Sequence, residues 1–264
     1  MCMYRYGWSL GDGVLRSVVV TVLLALVLAA GLAGVHLFSG RLQVLDVSPR
    51  SRWLSAAGGV SVAYVFVHLL PDLAEKQETI LEATGERFSF LEYHVYLVSL
   101  VGLAAFYGLE RAAKVSRGKE RSAGREDSTG GGVFWLHTAS FAAYNALIGY
   151  LLLHREDPGY GPLVLFAFAM GVHFVVNAYG LRRDHKGAYD GVGRWVLASA
   201  VLAGWVVGLA FEVSEAALAV LFAFLAGGVI MNVLKEELPE ERESRFFAFA
   251  LGAALYSVVL LVAF

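Results

Sequence analysis

The chain has 264 residues, of which 58% are hydrophobic and 17% are charged, and its formal net charge at pH 7 is −2. Soluble proteins are roughly half apolar and a quarter charged, so this composition excludes an ordinary soluble globular fold and predicts an integral membrane protein in contact with the lipid bilayer. The charge offers no basic excess for nucleic acid, and the single cysteine, Cys2, has no partner within the chain for a structural disulfide.

Apolar runs of about 20 residues, the length that crosses the hydrocarbon core as a helix, recur along the chain. Eight such runs stand between charged or Gly- and Pro-rich breaks: 17–38, 53–75, 91–113, 132–154, 161–184, 193–212, 214–234 and 245–264. They predict an all-α protein in which residues 1–264 form a single transmembrane domain. The sixth and seventh runs are interrupted only in the neighbourhood of Glu212 and Glu215, so seven spans with a re-entrant segment remain an alternative.

The distribution of Lys and Arg predicts the orientation of the spans. If the N-terminus lies outside, sixteen of the 21 Lys and Arg residues fall in inside loops, where basic residues are retained. The chain is therefore predicted to be a multi-pass protein of the plasma membrane with both termini outside. Residues 114–131, rich in Lys, Arg, Glu, Ser and Gly, are predicted to form a flexible cytoplasmic loop between three spans and five.

Spans two and seven share a pattern. Span two contains Ala57-Gly58-Gly59 and ends in Leu70-Pro71-Asp72, whereas span seven contains Ala226-Gly227-Gly228 and is followed by Leu238-Pro239-Glu240. The two spans run in opposite predicted directions, which is typical of the inverted repeats of transporters, whose solute site lies near the membrane midplane. The alternative is that paired glycines simply permit close packing of any two membrane helices.

Three segments also resemble a known family. They are Ala57-Gly58-Gly59 to His68-Leu69-Leu70-Pro71-Asp72, Gly102 with Phe106-Tyr107-Gly108-Leu109-Glu110-Arg111, and Leu238-Pro239-Glu240. Together with the eight predicted spans and the long loop after span three, they resemble the ZIP (zinc- and iron-transporter-like) metal permeases. The resemblance implies a 3+2+3 arrangement, with spans four and five central and the outer triplets related as an inverted repeat. It also implies divalent-cation transport, with a metal such as zinc as the substrate.

The metal ligands of that family lie in spans four and five, which usually read His-Asn-x-x-Asp-Gly and His-Glu-x-Pro-His-Glu. Alignment on Ile148-Gly149 places Ser140, Phe141 and Tyr144 at the span-four ligand positions, with Asn145 in place of the glycine. In span five the first histidine is kept as His173, and the other ligands are replaced. The resemblance therefore leaves His173 as the one metal ligand of a carboxylate-poor site.

The polar residues in the middle of the bundle are the candidate solute path: His173, Asn177, Tyr144, Asn145, Ser140 and His137. Zinc generally takes about four donors and hard cations need carboxylate or carbonyl oxygens, so this neutral set predicts weak metal binding. Polar groups at this depth also form ordinary interhelical hydrogen bonds, which is the alternative for His173 and Asn177. Helix packing is the simpler interpretation for His137, Ser140 and Tyr144.

His68 and Asp72 lie four residues apart at the outer end of span two. The pair is a candidate outer mouth that attracts a cation, and solvated charge at the interface is the alternative. The chain contains no Gly-x-Ser-x-Gly, His-Glu-x-x-His or phosphate-loop motif, so no enzyme is expected.

The preferred function is thus a ZIP-like membrane transporter, acting on a cation through an atypical site around His173. The alternative is a non-transporting protein of the same fold, which serves as a partner, regulator or scaffold in the membrane. No cofactor is expected beyond a substrate metal. The sequence leaves the oligomeric state open, a homodimer included.

Overall fold

The computed structural model describes residues 12–38, 52–84, 94–124, 128–155, 159–237 and 245–263. All regular elements in these ranges are helices: α1 (Asp12–Phe38), α2 (Arg52–Tyr64), α3 (Leu70–Thr84), α4 (His94–Ser122), α5 (Gly131–Leu151), α6 (Tyr160–His185), α7 (Arg194–Ala210), α8 (Glu215–Glu237) and α9 (Phe246–Ala263). A π-helical turn, Val65–Leu69, joins α2 to α3, and a second, Tyr189–Gly193, leads into α7. The predicted all-α fold is confirmed.

Six stretches of the described residues are long and apolar enough to cross a membrane: Arg16–Phe38, Ser55–Gln77, Val95–Ser122, Tyr160–His185, Tyr189–Ala210 and Glu215–Lys235. They confirm the prediction of a membrane protein. The other two predicted spans correspond to α9, a shorter apolar helix, and to α5, which carries several polar side chains. The crossing by eight helices stays a prediction. The chain termini and the Leu238-Pro239-Glu240 motif lie outside the described residues.

The predicted loop 114–131 is partly helical. Helix α4 does not end near residue 113 but continues to Ser122, and Gly124, with a φ of 71°, follows the helix end. Lys, Arg, Glu and Ala are good helix formers, and the preceding span supplies the nucleus that an isolated segment would lack. A polar composition argues against a buried core but not against the extension of an existing helix.

The helices form two compact units. Unit 1 (Met1–Gly40 and Trp135–Glu212) contains α1, α6, α7 and α5 from Trp135 onward, and unit 2 (Arg41–Phe134 and Val213–Phe264) contains α2, α3, α4, α8 and α9. The prediction of one domain in a 3+2+3 order differs from this division. Each unit draws helices from both halves of the chain, because close helix packing depends on which small residues face each other and not on sequence order.

In unit 2, α2 and α9 approach so closely that only glycine fits at the contact. A Cβ on Gly59 of α2 would overlap the backbone of Phe249 on α9. A Cβ on Gly252 of α9 would in turn overlap the backbone of Ala56 on α2. Because glycine has no side chain, the two backbones can pack directly against each other, as in other membrane helix pairs.

The pair α4 and α8 repeats this contact. A Cβ on Gly227 of α8 would overlap the backbone of Ser99 on α4, and one on Gly102 of α4 would overlap the backbone of Phe224 on α8. The two contacts have the same spacing along the chain. Adding 168 to the numbers of the α2 contact residues, Ala56 and Gly59, gives Phe224 and Gly227 of α8. Adding 150 to the numbers of Ser99 and Gly102 of α4 gives Phe249 and Gly252 of α9. Gly59 therefore matches Gly227, one residue away from the alignment that the Ala-Gly-Gly pattern suggests.

Both pairs are parallel. The backbone N–H of Arg245, just before α9, donates a hydrogen bond of 3.1 Å to Ser55 Oγ near the start of α2. The bond joins the starts of the two helices, so α2 and α9 run in the same direction. In the second pair, Gly227 of α8 lies against Ser99 of α4, and further along both helices Lys235 forms an ion pair with Glu110. The contacts follow the same order on both helices, so α4 and α8 are parallel as well.

In unit 1, α5 and α7 are held together in a similar way. A Cβ on Gly149 would overlap the backbone of Val201, and a Cβ on Gly204 would overlap the backbone of Ala146. Helix α1 packs on the same group through Ala25 and Ala29, both fully buried. This close packing brings polar side chains of α1, α5, α6 and the second π-helical turn into one interior.

Candidate functional site

The interior of unit 1 contains four buried histidines. The side chains of His36 (α1), His137 (α5), His173 and His185 (both α6) are each exposed by 3% or less. Fully buried imidazoles among apolar membrane helices are costly unless hydrogen bonds satisfy them. The hydrogen-bond partners of these histidines therefore indicate which chemistry this interior supports.

The first set of contacts joins three helical segments around His36. Asn145 Nδ2 donates to the carbonyl oxygen of Leu197 at 3.3 Å and lies 2.8 Å from His36 Nε2. A carbonyl only accepts, so the amide atom between the two groups is the donor, and His36 Nε2 accepts its hydrogen bond. The ring proton of the neutral imidazole then sits on Nδ1, which lies 3.4 Å from Tyr189 Oη.

The second set lies on α6 beside the first. Asn177 Nδ2 is 2.9 Å from His173 Nε2, one helical turn away, so the amide also donates to this imidazole. The ring of Tyr144 lies 5.6 Å from the ring of His173, and the ring of Phe174 lies 4.7 Å from that of His36. We call His36, Asn145, Tyr189, His173 and Asn177 the imidazole–amide network.

The third set is a histidine pair near the end of α6. His137 Nδ1 and His185 Nε2 are 2.9 Å apart, which is a hydrogen bond between two imidazoles. On α6, His185 lies twelve residues after His173, which is about 18 Å along the helix. The ring of Phe141 contacts both His137 and Tyr144, with centroid separations of 5.6 and 6.3 Å. An apolar ring thus stands between the histidine pair and Tyr144, whose own ring contacts His173.

The structure brings together most, but not all, of the predicted central residues. His173 bonds to Asn177 and contacts Tyr144, as the spacing suggested. Asn145 bonds to His36 instead of joining the His173 pair directly. Ser140 is partly exposed and donates to the carbonyl of Leu136 on its own helix, so it lies apart from the others.

The predicted mouth residues belong to unit 2. His68 Nδ1 lies 3.4 Å from Asp72 Oδ1, and both side chains are partly exposed. His68 sits on the π-helical turn between α2 and α3. The two groups are close enough for an ion pair when His68 is protonated, and two donors alone make a poor cation site.

Sequence reasoning missed His36, Tyr189 and His185. A search for histidines three or four residues apart finds ligand pairs on one helix face, whereas these residues meet partners from other helices. The π-helical turn that carries Tyr189 is a further signal, since such turns are frequent at functional sites, but no sequence pattern indicates this turn.

The donors in this interior fit a metal ion poorly. Among the described residues, no group of three or more His, Cys, Asp or Glu side chains could hold a metal ion. Within α5 there is no Asp or Glu, and those of α1 and α6 stand at helix ends, Asp12 and Asp184. A neutral imidazole and amide set offers little to replace the water around a divalent ion.

No protein-family model, no curated protein and no solved structure matches the chain. The similarity to ZIP permeases therefore rests on the sequence segments quoted above.

Proposed function

We propose that this chain is a multi-pass membrane transporter with a ZIP-like architecture, whose transported cation is the proton. The observation that carries the proposal is the concentration of four buried histidines in unit 1, each of them bonded to an amide or to another imidazole. Apolar residues at these positions would pack without the cost of burying polar groups, which favours a chemical role for the histidines.

The repeated packing in unit 2 supports a transporter. Equivalent glycine contacts join α2 to α9 and α4 to α8, and the members of each pair run in parallel. Consecutive spans cross the membrane in alternating directions, so α2 and α8 cross in opposite directions, and so do α4 and α9. The correspondence of α2 with α8 and of α4 with α9 therefore relates two segments of opposite orientation in the membrane. Inverted repeats of this kind are common in secondary transporters.

The proton suits the network better than a metal ion does. Histidine is the side chain that gains and loses a proton nearest to neutral pH, and one imidazole is enough to carry it. Zinc would require about four donors at once, and the described residues do not gather them. Tyr189 and the two amides give each imidazole a partner that orients its ring.

Proton flux in proteoliposomes tests the proposal. The purified chain is reconstituted with an entrapped pH dye, and a potassium gradient with valinomycin drives protons inward. We expect acidification faster than in empty liposomes for the wild type, and the empty-liposome rate for His36→Gln and His173→Gln, because glutamine keeps hydrogen bonding but cannot hold the proton. His154→Gln serves as the matched control, since His154 bonds to the carbonyl of Gly208 outside the network.

A wild-type rate equal to that of empty liposomes would contradict the proposal, as would full activity in both glutamine variants. The first result would favour a second candidate, a non-transporting membrane partner or scaffold. One observation favours it: the imidazoles of the network bond to protein groups and are not directed at an open solute site. Zinc entry, followed with an entrapped zinc dye, is expected to be absent in either case.

A further inference from the structure

The last turns of α4 carry a charged surface that the proposed transport does not use. From Arg111 to Ser122 the helix contains five Lys and Arg residues and one acidic residue, Glu120. Four of the basic side chains are exposed: Arg111, Lys114, Lys119 and Arg121. We call these four residues the basic surface.

The length of α4 places this surface at headgroup depth. The helix has 29 residues, and at about 1.5 Å per residue it is about 44 Å long, whereas the hydrocarbon core is about 30 Å thick. Charged side chains are too costly in the hydrocarbon, so the apolar part after His94 occupies the core. The basic end of the helix then emerges among the lipid headgroups.

The arrangement of the surface fits a lipid layer. Arg111, Lys114 and Arg121 recur at helical spacing on one side, and Val115 beside them is 48% exposed. Lys and Arg stems can lie along apolar material while their charges reach the phosphates. On the other side Ala113 is fully buried, and Ser116 Oγ accepts a 2.8 Å hydrogen bond from Gly130, so the extension is anchored.

We propose that the basic surface binds the phosphate groups of anionic membrane lipids. Its charge is complementary to such headgroups, its depth coincides with theirs, and it continues directly from a membrane-crossing helix. Clusters of four or more basic residues next to a span bind anionic lipids through this attraction. The inference does not depend on proton transport, since it concerns unit 2 and a different set of side chains.

Spin-labelled lipids test this proposal. The full chain is reconstituted in phosphatidylcholine, and the immobilised fraction of a phosphatidylglycerol probe is compared with that of a phosphatidylcholine probe. We expect the wild type to immobilise a larger fraction of the phosphatidylglycerol probe. In the variant with Gln at all four positions of the basic surface, we expect this preference to be about fivefold smaller. A variant that exchanges Lys and Arg at those positions keeps the charge and should keep the preference.

Three further measurements keep the test decisive. Arg16→Gln with Arg52→Gln removes two exposed basic residues elsewhere and should leave the preference unchanged. Added salt should weaken the wild-type preference even if the fourfold variant fails to fold. A wild type without preference, or a fourfold variant that retains it, overturns the proposal. Retention of polyglutamate by a wild type that shows no lipid preference would also overturn it, and would assign the surface to an acidic polypeptide.

Discussion

At His36, both ring nitrogens face a hydrogen-bonding group, and the amide of Asn145 decides which nitrogen carries the proton. The decision rests on the carbonyl of Leu197, which only accepts and so fixes the orientation of the amide. One side chain on α5 thereby holds a histidine on α1 and a backbone group at the start of α7. Asn145 therefore links three helices of this interior.

Replacement of Asn145 should destabilise the protein. In Asn145→Ala the carbonyl of Leu197 and Nε2 of His36 lose their shared donor inside the bundle, so we expect a loss of about 1–2 kcal/mol in the free energy of unfolding. Ser140→Ala on the same helix removes a partly exposed hydroxyl that bonds only to its own helix, and should change it by less than about 0.5 kcal/mol. Unfolding in mixed detergent and SDS micelles measures both, and equal effects would contradict the role given to Asn145.

Zinc should bind weakly or not at all to the central site. His173 has an amide and an aromatic ring as its neighbours, and these contribute little toward removing the water of a doubly charged ion. Calorimetry on the wild type and on His173→Ala should therefore give the same small heats of zinc addition. Micromolar or tighter binding that disappears in His173→Ala would show that the site is a metal site after all.

At the scale of elements, glycine contacts decide which helices pair. The segments around Gly59 and Gly227 lie in equivalent environments, each against the backbone of a parallel helix. The equivalence extends to Gly252 and Gly102 on the partner helices. Because the two glycine contacts have the same geometry, the same substitution in each should have a similar effect on stability.

We expect Gly59→Ala and Gly227→Ala to lower the free energy of unfolding by similar amounts, about 1–3 kcal/mol, because the added methyl group meets backbone atoms that cannot move aside. Gly108→Ala is the control, since a Cβ there meets no atom within 4 Å. It should be neutral or slightly stabilising. If one of the two substitutions is tolerated while the other is not, the two contacts are not equivalent.

At the scale of the whole molecule, the outstanding prediction is the orientation in the membrane. It derives from the inside placement of most Lys and Arg residues, to which the end of α4 contributes five. Both Ser122, just after this basic region, and Ser214, between α7 and α8, are exposed. They are predicted to lie on opposite sides of the membrane.

Cysteine labelling of intact cells checks the orientation. In a Cys2→Ser background, Ser122→Cys should react with a membrane-impermeant maleimide only after the cells are permeabilised. Ser214→Cys should react without permeabilisation, because the predicted orientation places it outside. Labelling of Ser122→Cys in intact cells would reverse the orientation or reject the eight-span topology.

The sequence by itself determined the membrane class, the all-α fold and the approximate positions of the helices, because the length and polarity of each run suffice for these. It also indicated His173 and Asn177 as a pair, since their spacing brings them together on one helix. The helical end of α4 was predicted as a loop, because composition alone does not reveal the support of a preceding helix.

Only the tertiary structure decided the partners of the remaining polar residues. The sequence interpretation placed His36 at the end of a span and gave no role to Tyr189 or His185, yet all three bond to residues of the same interior. It also aligned the two glycine patterns one residue away from their packing register. Periodicity shows which residues share a helix face, but which helices meet, and at which residues, depends on three-dimensional packing.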